Sequence, residues 1–264
     1  MPSASYAVDI GVYNLGSMGQ VLSSTTTAWA RSIEGACSFD GITYSGSSEE
    51  GKFVETTNRT WNCGRSLCLL VDKIIGDIEA GFSVSIGFEA PMWFPIELKE
   101  HANLRLFKPR FAEEAESQWY LQSGAAAIVK AVSLGAMVIS LLKSKQSELQ
   151  FTAIPASSTC QTIVLYEAFV VGAGKFKTPI PAGATKAGNE WDAFTASLAW
   201  GAINCKFDTP CSANPKELHR AGSLDCKAAS VWQMVASLVP SKPRVEGPSD
   251  CQVVGLAHLN GAHT

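Results

Sequence analysis

Residues 5–12 read Ser-Tyr-Ala-Val-Asp-Ile-Gly-Val. A run this apolar, followed by the turn residues Asn14, Gly16 and Gly19, predicts a short buried strand. The acid inside it makes this stretch decisive. A carboxylate in apolar surroundings costs several kcal/mol unless it is paired, hydrogen-bonded or metal-bound. Asp9 therefore has a job. The plain one is to order the turn from Gly11 to Gly19 by hydrogen bonding; the chemical one is to contribute to a site.

Working outward, Gln20 to Ser32 reads as a second strand returning antiparallel, with Val21, Leu22 and Trp29 as its apolar residues. Glu34 to Thr60 is rich in Ser, Thr and Gly, which predicts a third strand around Ile42 to Tyr44 and then a long exposed loop. Leu67, Leu70, Val71, Ile74, Ile75 and Ile78 recur at helical spacing, so Trp61 to Ala80 is an amphipathic helix ended by Gly81. Ser83 to Glu89 is a buried strand stopped by Pro91, and Met92 to Pro109 reads as loop. A long helix is expected from Arg110 to Lys143. Thr162 to Val171, β-branched and aromatic, is a fifth strand. Gly172 to Gly188 is a connection rich in Gly, Pro and Lys. Helices over Asn189 to Asn204 and Lys227 to Leu238 and a short strand over Asp250 to His258 complete the chain. No repeat or linker divides it. The expectation is one α/β domain over residues 1–264, with its core at 5–205 and a C-terminal helix and strand in 206–264.

Apolar residues make up 46% of the chain and charged ones 17%, below the usual quarter, which points to a thick core and to a homo-oligomer or protein-partner contact. The net charge of −3 and a pI near 5.8 give no overall basic field, which counts against a high-affinity, sequence-blind DNA binder. A nuclease stays open, because a metal-binding carboxylate cluster lowers the pI by itself. The eight cysteines include no Cys-x-x-Cys pair, so zinc is not expected, and the chain opens with no signal-peptide pattern. Free thiols in a cytoplasmic protein are the expectation. Tyr120 to Leu142 is the most apolar stretch, but it carries Lys130, Gly124 and Gly135 and reads as a buried helix instead of a membrane span.

Two further acids share the unusual placement of Asp9. Glu89 ends the fourth strand, just before Ala90-Pro91, and Asp192 opens a late helix in Glu190-Trp191-Asp192-Ala193-Phe194. Strand ends and helix starts aim side chains into a common crevice in open α/β sheets. A helix N-terminus also stabilises an acid by itself, so capping is the plain reading of Asp192. For Glu89 the plain reading is an edge charge before a proline turn.

Asp9-Ile10-Gly11, Phe88-Glu89-Ala90-Pro91 and Trp191-Asp192-Ala193-Phe194, in this order, resemble the RNase-H-like superfamily, in particular predicted nucleases related to RuvC-type resolvases. The resemblance spans about residues 5–205. It implies a mixed five-stranded sheet flanked by helices, with a C-terminal extension. It also implies metal-assisted hydrolysis of nucleic-acid phosphodiester bonds, with Mg²⁺ or Mn²⁺ held by Asp9, Glu89 and Asp192. In that scheme Asp9 bridges two ions, and Glu167, in Leu165-Tyr166-Glu167-Ala168, is a fourth or outer ligand. Its plain alternative is a solvent-facing acid on an edge strand. Asn189 departs from the family pattern, which often has a further acid or His there.

Arg105, Lys108 and Arg110, with Lys99 and His101, could hold phosphates beside Glu89, or form a solvated loop. Lys175 and Lys177 suggest a second phosphate contact, but not a Walker A loop, because Phe169 stands at the first glycine position and Phe176 follows the lysine. Trp93, Trp119 and Trp191 are candidates for base stacking, with core packing the plainer role. The competing readings are a catalytically inactive RNase-H-like module that binds a protein or nucleic-acid partner and, last, a sugar-kinase or actin-like ATPase, for which this length offers neither the two subdomains nor a second Gly-rich phosphate loop.

Overall fold

A computed structural model describes residues 1–11, 27–39, 42–47, 52–56, 67–95, 123–153, 159, 161–168, 189–204, 219–222, 228–241, 243, 245–246 and 251–254. The first half contains β1 (Ser3–Asp9), β2 (Ala28–Ile33), β3 (Ala36–Phe39), β4 (Ile42–Ser47), β5 (Lys52–Glu55), α1 (Leu67–Glu79), β6 (Ser83–Phe88) and β7 (Trp93–Pro95). The second half contains α2 (Ser123–Lys145), β8 (Gln150–Thr152), β9 (Thr162–Glu167), α3 (Asn189–Asn204), β10 (His219–Gly222), β11 (Ala228–Ser230), α4 (Val231–Leu238), β12 (Val245–Glu246) and β13 (Cys251–Val254).

The main sheet is mixed and runs β10-β13-β9-β6-β1-β2-β3-β4-β5, with β8 also pairing β9 and β12 pairing β8. β1 is antiparallel to β2 and parallel to β6, and β6 is parallel to β9. The α/β class follows the sequence. The sheet is larger than five strands, because β3, β4 and β5 form a meander where one strand and a loop were expected, and short strands extend the other edge. The signal for the β2–β3 hairpin is Glu34-Gly35, a two-residue connection in which Gly35 takes φ 68°, a left-handed value that glycine adopts without strain. Trp93–Pro95, read as loop, instead pairs with Ala228–Ser230, which was read as the start of a helix. That helix begins at Val231.

Strand parity decides which face each residue serves. Tyr6 and Val8 on β1 and Trp29 on β2 join the main core with Leu70, Val71 and Ile74 of α1, Leu134 and Val138 of α2, and Trp232 and Val235 of α4. Ser5, Ala7 and Asp9 fall on the other face, which α3 covers. Ser197 of α3 meets Ser32 there, Oγ to Oγ at 2.7 Å. α1 ends as expected at Gly81: its N–H donates to Ile78 O, and the Phe82 N–H donates to Asp77 O, with Gly81 at φ 82°. This is the glycine-closed helix end that a following strand needs.

On the α3 face, Tyr166 of β9 lies across Gly87 of β6. A Cβ at position 87 would lie 2.2 Å from the Tyr166 ring. The Tyr166 hydroxyl donates to Tyr6 O at 2.7 Å, and its ring stacks on Trp200 of α3 at 4.1 Å between centroids. α2 has a long apolar window, Ala126–Lys145, that passes for a membrane span by length and composition alone. A third of that window is buried. The stretch is therefore a core-layer helix with one inward stripe of Ala131, Leu134, Val138 and Leu142, not a helix buried all round. Cys37 and Cys68 are free thiols, and burial pushes the Cys37 thiol up.

Candidate metal centre

Three chain segments converge at the end of β1 and β6. Asp9 is the last residue of β1 and pairs with Ala28, while Val8 pairs with Phe88. Glu89 follows Phe88 directly, and its N–H donates to Val8 O at 2.8 Å, which continues the ladder by one step. Asp9 and Glu89 thus stand side by side on the α3 face. Asp192 is the fourth residue of α3, in the first turn of the helix that covers this face. The Gly11 N–H donates to Thr27 Oγ1 at 3.1 Å and holds the chain leaving Asp9 against the start of β2.

One carboxylate oxygen from each of Asp9, Glu89 and Asp192 lies within 4.8 Å of the other two. Asp9 is buried, and Glu89 and Asp192 are half-buried. Two unit charges 4 Å apart repel by about 1 kcal/mol in bulk water and about 4 kcal/mol at an effective dielectric of 20. A shared cation reverses the sign of these terms. The donor set is all oxygen, which suits a hard divalent ion. Oxygens on opposite sides of one Mg²⁺ lie roughly 4.2 Å apart, and on opposite sides of one Ca²⁺ roughly 5 Å. Three oxygens no more than 4.8 Å apart can all be reached from one point between them, so the residues present could hold a metal ion with small side-chain adjustment.

Glu167 does not join this group. It pairs in register with Phe88, so parity sends it to the core face, away from Asp9 and Glu89. It is fully buried, and its Oε2 accepts the Met92 N–H at 2.8 Å. The expectation of a solvent-facing edge acid also fails, since β13 pairs with β9 at this residue. Arg105, Lys108, Arg110 and Lys175, expected to hold phosphates, lie outside the described residues, as do Lys99, His101, Lys177 and Trp119.

A second charged cluster went unread in the sequence. Arg31 of β2 donates from Nε to Asp77 Oδ2 at 2.7 Å and from Nη2 to Asp77 Oδ1 at 2.6 Å. The Tyr6 hydroxyl donates to the same Asp77 Oδ2 at 2.5 Å, and the guanidinium lies 5.6 Å from the Phe82 ring centroid. Burial, then the Asp77 charge, hold the Tyr6 hydroxyl protonated far above its usual range. Burial works against the Arg31 charge, but the Asp77 and Tyr6 contacts outweigh it and raise its pKa. The available signal was Asp77 itself, an acid three residues after Ile74 on the inward stripe of α1.

Comparison with protein-family models, with curated proteins and with solved structures finds no match to this chain. The fold and the site geometry therefore carry the functional argument.

Proposed function

We propose that the chain is a metal-dependent nuclease of RNase-H-like architecture, with Asp9, Glu89 and Asp192 holding Mg²⁺ or Mn²⁺. The observation that carries the reading is the meeting of three carboxylates from β1, the β6 end and the first turn of α3 within 4.8 Å. The strand order adds support. Within the wider sheet, β3-β2-β1-β6-β9 forms a five-strand core with only β2 antiparallel to its neighbours β1 and β3 and with helices on both faces. Bound ions of this class activate water and stabilise a leaving oxygen in phosphodiester hydrolysis. The protein residues supply the fixed carboxylate frame. Asp9 is held by the central strand, Glu89 by the ladder bond to Val8, and Asp192 by the turn of α3 over the same face.

The second reading is an RNase-H-like module without activity that binds a protein or nucleic-acid partner. The residue in its favour is Asn189, the first of α3, where resolvase-like members often have a further acid or His.

The test is cleavage of branched DNA, single strands and RNA/DNA hybrids with Mn²⁺, beside an Asp9→Asn variant. The parent cleaves and is stabilised by Mn²⁺; the variant does neither. At a metal concentration one hundred times Kd the stabilisation is about 2.7 kcal/mol. Mn²⁺-dependent stabilisation without cleavage selects the inactive module, and a parent with neither response rules out the metal centre.

A further inference from the structure

Glu167 was expected as a ligand, and its position gives it a different task. We propose that Glu167 is a positioning residue: from the opposite face of the sheet it fixes the backbone that carries Glu89, and so sets the geometry of the acidic group. This inference rests on the metal-centre reading and goes beyond it.

Four contacts define the segment from Phe88 to Met92. The Glu89 N–H donates to Val8 O, the Ala90 N–H donates to Phe88 O at 2.7 Å, and the Ala168 N–H donates to the same Phe88 O at 3.0 Å. The fourth is the Met92 N–H on Glu167 Oε2. Pro91 has no N–H to donate, so Met92 supplies the first amide after Ala90 that can anchor the chain. Met92 is held from its other side too, since its carbonyl accepts the Val231 N–H at 2.8 Å where α4 begins.

A fully buried acid needs hydrogen-bond partners, and the Met92 amide, three residues from Glu89, is one that Glu167 has. Groups hydrogen-bonded directly to ligating side chains commonly control metal affinity by about ten- to a hundredfold, and Glu167 acts one step further back, through the backbone that carries Glu89.

Two substitutions separate positioning from ligation. Glu167→Gln keeps an oxygen at the same reach for the Met92 amide but removes the charge. Glu167→Met keeps the volume and removes the acceptor. Mn²⁺ affinity is measured by titration, and hydrogen exchange is followed at the Glu89, Ala90 and Met92 amides without metal. Glu167→Gln is expected to bind Mn²⁺ close to the parent and to keep these amides slow. Glu167→Met is expected to bind about tenfold more weakly and to exchange faster at these amides, with those of the β2–β3 hairpin unchanged. Loss of Mn²⁺ binding in Glu167→Gln to the level of Asp9→Asn would make Glu167 a ligand and overturn the proposal. A Glu167→Met protein unchanged in affinity and exchange overturns it as well. If Glu167→Met does not fold, hydrogen exchange in the parent decides: a slow Met92 amide supports the anchor, and a Met92 amide that exchanges as fast as exposed ones overturns it. If the parent binds no Mn²⁺, the metal reading fails separately, and hydrogen exchange alone decides whether Glu167 fixes the segment.

Discussion

Two clusters of charge lie on opposite faces of the same sheet and are built on opposite principles. On the core face, Arg31, Asp77 and Tyr6 balance one another: a bidentate ion pair of 2.6 and 2.7 Å with a phenol on the same carboxylate. On the α3 face, Asp9, Glu89 and Asp192 bring three charges of one sign within 4.8 Å. The first arrangement is complete in the folded chain and joins β1, β2 and α1. In the proposed metal centre, a cation would balance the second. Both contain buried acids, so burial alone does not tell the two clusters apart; the side chains gathered in each do.

The contrast breaks most visibly at Asp77. Asp77→Ala leaves the Arg31 guanidinium buried without its carboxylate and is expected to cost about 3–5 kcal/mol, read as a lower urea midpoint. Tyr6→Phe removes one hydrogen bond to a charged group, and the same measurement should register about 1.5–3 kcal/mol. The smallest effect should have the opposite sign. Glu89→Gln relieves like-charge repulsion, so without metal its melting temperature should equal or exceed the parent's, by on the order of 1 kcal/mol in stability. A metal-free Glu89→Gln protein destabilised as much as Asp77→Ala would show that the two clusters are not different in kind.

The acidic group was legible because each member stands where chain organisation is easy to read. Asp9 interrupts an apolar strand, Glu89 precedes a proline that stops one, and Asp192 opens a helix whose limits, Asn189–Asn204, the sequence gives directly. The placement of Glu167, buried and on the other face from Asp9 and Glu89, was not legible because it depends on parity. A strand-end acid faces one side of a sheet or the other according to register, and a one-residue slip exchanges the faces. Nothing in Thr162–Glu167 alone fixes that choice, since the strand is apolar on both sides. The shortest strands escaped for a related reason: two or three residues, as in β7, β11 and β12, are too few to show a period. Asp77 was hidden by the strength of the pattern around it, because a clear apolar stripe draws attention from the one acid within it.

The crossing of Tyr166 over Gly87 has a consequence for how this sequence can vary. No side chain fits at 87 while the tyrosine ring covers it, and the tyrosine in turn stacks on Trp200 and bonds to the Tyr6 carbonyl. Positions 87 and 166 should therefore drift together. A descendant that gains a methyl group at 87 must accept a smaller residue at 166, and the loss of the ring leaves Trp200 to find a new neighbour. A substitution at 87 should therefore be rare unless one at 166 comes with it.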